Sequence, residues 1–139
     1  MGKDLSISME TTFEHIKHIL PESIKIGGVE YEINLLDTTS FIGGSSGNEI
    51  LDGEFDTCKG RIQLATKQKD NPEELIAYDR LITVLFHEIL HGIFYHYLED
   101  YTENEEHIVT QLAKGLYQVL KENPELTKLI GNNHKEAIL

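Results

Sequence analysis

The sequence predicts an α+β fold in which a small sheet precedes two long helices. Between residues 23 and 36 apolar and polar side chains alternate, and short apolar stretches continue to residue 66, as in strands. After residue 71 the apolar side chains recur at helical spacing instead. We therefore expect three or four strands, antiparallel or mixed, packed on a buried helix that is followed by a second helix.

The composition limits the class of protein. A length of 139 residues fits one domain, expected at 10–131 between tails at 1–9 and 132–139. The formal net charge of -12 argues against nucleic acid or an anionic membrane as partner, because both attract basic surfaces. Cys58 is the single cysteine, so a reducing, cytoplasmic location is expected.

The N-terminal half carries clear signals for short elements. Gly27-Gly28 interrupts a run of alternating residues and predicts the turn of a β-hairpin. Pro21 ends an amphipathic stretch and predicts the end of a helix. The expected elements are a helix at 10–20, a hairpin at 24–35, a flexible loop at 37–48, and strands at 49–56 and 60–66.

The C-terminal half is expected to be helical. Asn71-Pro72, followed by two glutamates, predicts the start of a helix that runs to about Leu98. Polar residues 99–106 interrupt it, and a second helix is expected from about Glu103 to Asn123, before Pro124. A short further turn or helix is expected in the ELTKLI stretch that follows.

The stretch HEILH within the first long helix predicts a metal site. His87 and His91 are four residues apart, so on a helix both imidazoles can face one ion. Glu88 lies at the neighbouring position, where it can reach an attacking water. This is the HExxH arrangement in which two histidines bind Zn²⁺ and the glutamate acts as general base.

Apolar residues run almost all round this helix, which predicts that it is buried. A buried polar side chain without a partner costs roughly 1–3 kcal/mol. Metal ligation would offset that cost for His87, Glu88 and His91, and ordinary hydrogen bonding within the core is the alternative.

A third protein ligand is required to complete such a site. Glu103, Glu105 and Glu106 precede or begin the second helix, and helical periodicity favours Glu105, which lies nearest the middle of its apolar face. His96 and Asp100 are the remaining alternatives, although His96 would face away from His91 on a continuous helix.

HEILH followed by a glutamate-led helix resembles the gluzincin class of zinc metallopeptidases. More narrowly, residues 24–123 resemble the ImmA/IrrE-like family, variants of which occur in phage and mobile-element genomes. The resemblance implies a minimal zincin-like fold, a Zn²⁺ cofactor, and cleavage of a protein or peptide substrate, with a regulator or repressor as the expected class. It favours Glu106 as third ligand over Glu105, although Thr110 stands where the family usually has Asp or Asn.

The resemblance also implies that an edge strand above the metal pairs with an extended substrate, and residues 61–66 are the candidate. Tyr95, Tyr97 and Tyr101 are candidates for stabilising a tetrahedral oxyanion, with core or rim packing as the ordinary alternative. A different class of function stays open: a zinc-binding protein with this fold that cleaves nothing and acts by binding a partner protein.

Overall fold

The computed structural model describes residues 13–43, 47–98 and 105–131, and the side chain of Glu105 is not among them. The expected tails and residues 99–104 lie outside this set, and within it no helix has the length and apolarity needed to cross a membrane. The elements are α1 (13–19), β1 (Ser23–Ile26), β2 (Val29–Leu36), β3 (Phe41–Gly43), β4 (Glu49–Leu51), β5 (Gly53–Asp56), β6 (Arg61–Ala65), α2 (Tyr78–Tyr97), α3 (Glu105–Glu122) and α4 (Glu125–Lys128).

The main sheet has four strands in the order β1-β2-β6-β5. The pairs β1–β2 and β5–β6 are antiparallel and β2–β6 is parallel, so the predicted α+β class is confirmed and, of the two expected sheet types, the sheet is mixed. The expected loop at 37–48 is partly wrong, because β3 forms there by pairing with β4. The expected single strand at 49–56 is divided at Asp52, and its two halves belong to different sheets.

The turn between β1 and β2 matches the prediction. Gly27 and Gly28 have φ of 61° and 83°, the positive values that a two-residue type I′ turn requires at both central positions. A Cβ added at Gly27 would also lie 2.5 Å from Cγ of His96, so this position has no room for a side chain. The hairpin therefore closes directly onto the end of α2.

Helix α2 begins at Tyr78, and the predicted start at Asn71 is wrong. The segment before it turns back along the end of β6, where the N–H of Ile76 donates to the carbonyl of Thr66 at 2.8 Å. An extended backbone paired in this way cannot be helical. Tertiary pairing therefore outweighs the local preference of Asn71-Pro72 for a helix start.

Helix α2 is buried on one side only, so the expectation of burial all round is wrong. Its buried side packs on β1, β5 and β6 and against α3. The core residues with 0–1 % exposure on these elements are Ile24, Ile26, Ile62, Leu64, Leu81, Leu85, Ile89, Ile93 and Val119. The exposed side carries His87, Leu90, His91, Phe94 and Tyr95.

The outer edge of β1 is closed by amide side chains from α3 and its C-terminal end. Asn123 Oδ1 accepts from the N–H of Lys25 at 2.8 Å, and its Nδ2 donates to the carbonyl of the same residue at 2.9 Å. Gln118 Oε1 accepts from the N–H of Gly27 at 3.0 Å. This edge is therefore unable to accept another strand, whereas β5 forms the opposite edge.

We expect Asn123→Ala to lower the free energy of unfolding by roughly 1–3 kcal/mol, because it removes the side-chain partner of a strand-edge N–H. Urea denaturation measures the change. Asn71→Ala removes the same side chain from an exposed turn and is the control, expected within about 0.5 kcal/mol of the unchanged protein. Equal losses in the two variants would show that Asn123 does not hold the edge.

Candidate metal centre

The two histidines of HEILH converge on one point at the surface. Nε2 of His87 and Nε2 of His91 are 3.2 Å apart on the exposed side of α2. Partial burial, with a further contribution from His87, lowers the pKa of His91 below its ordinary value, which favours the neutral ring that a metal requires. The structure thus brings both predicted imidazole ligands together.

Glu88 differs from the histidines, since it is only 6 % exposed. Its carboxylate accepts a hydrogen bond from the backbone N–H of Phe55 on β5. Burial raises the pKa of Glu88 above that of an ordinary carboxyl group; His87 opposes the rise, Glu54 adds to it, and the Phe55 N–H opposes it. The carboxylate is thus fixed in place beside the histidine pair.

Two glycines allow α2 to approach β5 closely. A Cβ added at Gly53 would lie 3.0 Å from Oε2 of Glu88 and 2.7 Å from Cγ1 of Val84. A Cβ added at Gly92 would lie 3.0 Å from Cε1 of Phe55. Both positions exclude a side chain, so the strand passes directly over the carboxylate.

The expectation that residues 61–66 form the edge strand is wrong. β6 lies between β2 and β5, so both of its edges are already paired. β5 is the edge strand and supplies the N–H that holds Glu88. Sequence reasoning missed this role, although Gly53 was a usable signal, because a glycine inside a strand often marks the close approach of another element.

The third ligand is not placed by the structure. Among the residues that it describes, no group of three His, Cys, Asp or Glu side chains could hold a metal ion. Glu106 is exposed, whereas Glu103, Asp100 and the side chain of Glu105 lie outside the described set. Glu106 and its alternative Glu105 therefore both stay predictions.

The geometry of α3 bears on this choice. A Cβ added at Gly115 would lie 2.5 Å from Cγ2 of Ile93, so Gly115 marks the side of α3 that meets α2. At about 100° per residue, Glu105 lies about 80° from Gly115 around the helix and Glu106 about 180°. Helix geometry thus agrees with the periodicity in favouring Glu105, against the family pattern.

Other candidates near the site have definite positions. His96 Nε2 is hydrogen-bonded to the hydroxyl of Tyr31 at 2.5 Å, so it is engaged away from the His87 and His91 pair. The hydroxyl of Tyr97 donates to Oε1 of Gln118 at 2.8 Å, between α2 and α3. Tyr101 lies outside the described residues, and Tyr95 is exposed one turn after His91.

A scan against models of protein families, a search of curated proteins and a search of solved structures each return no match to this chain.

Proposed function

We propose that the protein is a zinc-dependent metallopeptidase that hydrolyses peptide bonds of a protein substrate. The observation that supports this best is a combination of two features. The Nε2 atoms of His87 and His91 lie 3.2 Å apart, and the buried carboxylate of Glu88 next to them is hydrogen-bonded to an edge strand. His87, Glu88 and His91 are thus brought together by one helix and one strand.

The histidine pair fits zinc. In a tetrahedral site with Zn–N bonds of about 2.0–2.1 Å, two nitrogen ligands lie about 3.3 Å apart. The observed separation of 3.2 Å between the Nε2 atoms of His87 and His91 is close to that value. The pair is therefore already set for one ion, with Glu106 or Glu105 as the proposed third ligand.

Glu88 is the proposed general base. A bound zinc would polarise the scissile carbonyl and make the attacking water more acidic. The Glu88 carboxylate would take a proton from this water and return it to the leaving amine. Its bond to the N–H of Phe55 restricts the carboxylate to one position, which a proton-transfer group requires.

The substrate chain is proposed to lie along β5, the sheet edge that Gln118 and Asn123 do not close. Leu90 and Phe94, exposed beside the histidines, offer apolar contact to substrate side chains. Tyr95 is the proposed oxyanion donor, since it shares their exposed side of α2.

Metal content tests the site directly. We expect about one zinc per chain by elemental analysis after purification without chelators, and a large loss in His87→Ala and in His91→Ala, because each removes a ligand. His18→Ala, a change of an exposed histidine on α1, is the control and should keep its zinc. Glu105→Gln and Glu106→Gln then identify the third ligand, since only the true ligand lowers the zinc content.

The competing function, a zinc-binding protein that grips a partner, predicts the same metal content with no cleavage. Protein without zinc would contradict both proposals. Zinc-loaded protein that cleaves neither unfolded proteins nor a broad peptide mixture would leave the partner-binding function.

A further inference from the structure

A cationic cavity opens beside the start of α2. It has a volume of about 180 Å³, and its charged lining consists of Lys67, Lys69, Arg80 and Asp52. At about 30 Å³ per water molecule, it holds roughly six waters. We call this cavity the cationic pocket.

The cations in the pocket outnumber the carboxylates. Asp52 lies 3.4 Å from Nη2 of Arg80 and 4.0 Å from Nζ of Lys69, so one carboxylate faces two cations. Lys67 pairs at 3.2 Å with Asp37, which is largely exposed and not part of the lining. The positive end of the α2 dipole lies beside the pocket, and Asp79 in the first turn of the helix partly offsets its charge.

This excess is unusual for the chain, which has 12 Lys and Arg against 24 Asp and Glu. Three of the 12 basic side chains line one small cavity. In an acidic protein, a pocket with excess positive charge binds an anionic group more favourably than the rest of the surface does.

The pocket lies along α2 from the proposed active site, toward the start of the helix. Arg80, Val84 and Glu88 lie at successive turns along one side of α2, and Val84 lines the pocket. Gly53 of β5 approaches both Val84 and Glu88. At 1.5 Å per residue, the pocket lies about 6–12 Å along the helix from Glu88, the span of about two to four residues of an extended peptide.

We propose that the cationic pocket binds a carboxylate of the substrate, two to four residues from the scissile bond. This rests on the proposed peptidase function and names its substrate class: peptides with an acidic side chain, or a free C-terminal carboxylate, at that distance. Lys69 and Arg80 form the charged contacts, with Lys67 as the third cation.

Binding to the full-length Glu88→Gln protein tests the pocket without cleavage. The reference is an amidated fluorescent peptide with one Gln. Two further peptides each differ from it at one point: one has Glu in place of Gln, and the other has a free C-terminal carboxylate. Fluorescence anisotropy should show the Glu peptide, or the free-carboxylate peptide, binding at least about tenfold tighter than the amidated Gln peptide. Equal affinities for all three would overturn the proposal.

Lys69→Ala combined with Arg80→Ala should abolish this preference. Both side chains are exposed by more than half, so the fold should persist. Lys59→Ala combined with Lys128→Ala removes the same charge from exposed positions outside the pocket and should keep the preference. Lys69→Glu alone should weaken binding of the carboxylate peptide. Loss of the preference in the control variant with Lys59→Ala and Lys128→Ala would overturn the proposal.

The binding measurement separates this proposal from the proposed function. A carboxylate preference in a protein whose unchanged form cleaves nothing would support the pocket and contradict the peptidase. Cleavage by the unchanged protein at sites with no nearby carboxylate, together with equal peptide affinities, would support the peptidase and overturn the pocket.

Discussion

Glu88→Gln is expected to lose nearly all peptide hydrolysis while keeping its zinc. The amide has the shape of the carboxylate, and its Oε1 can still accept the hydrogen bond from the N–H of Phe55. It cannot take a proton from the attacking water, however, so kcat should fall by about 10²–10⁴-fold. Single-turnover cleavage of a fluorescent peptide, with elemental analysis of the same sample, measures both properties.

Glu14→Gln is the matched control for that variant. It makes the same chemical change at an exposed side chain of α1, outside the proposed site. We expect nearly unchanged zinc content and kcat. Full activity in Glu88→Gln would show that another group activates the water and would contradict the proposed mechanism.

Leu85→Ala is expected to lower the stability of the protein strongly. Leu85 is 0 % exposed and packs in the core, so its loss should lower the free energy of unfolding by about 2–5 kcal/mol. Leu90→Ala makes the same chemical change at a side chain that is 46 % exposed. It should change stability by no more than about 0.5 kcal/mol, as measured by urea denaturation.

This pair of variants tests which side of α2 is covered. Leu85 and Leu90 lie about 140° apart around the helix, Leu85 on its buried side and Leu90 on its exposed side. Comparable losses of stability in both variants would mean that the side bearing His87 and His91 is also packed. The exposed histidine pair, on which the proposed metal site depends, would then be contradicted.

Local signals predicted much of the fold. Gly27-Gly28 predicted the hairpin turn because glycine, which has no Cβ, adopts positive φ without a steric penalty. Pro124 marked the end of the second long helix, which the structure has at Glu122. The helical spacing of His87 and His91 likewise predicted their convergence, since neighbouring turns of one helix fix it.

Features that depend on distant parts of the chain were not predictable in this way. Alternation identified residues 61–66 as a strand, but no local pattern shows which strand ends at the sheet edge. Helix α2 begins at Tyr78, later than the predicted Asn71, because the preceding backbone pairs with the end of β6. Helical spacing also placed apolar residues all round α2 without revealing which side would be covered.

The sequence by itself determined that His87, Glu88 and His91 share one helix and that His87 and His91 face one point. Only the tertiary structure decided their environments, with the histidines exposed and Glu88 buried beneath β5. The physical reason is that side-chain direction follows from the 3.6-residue helical turn, whereas burial and hydrogen bonding depend on which strand packs against that helix.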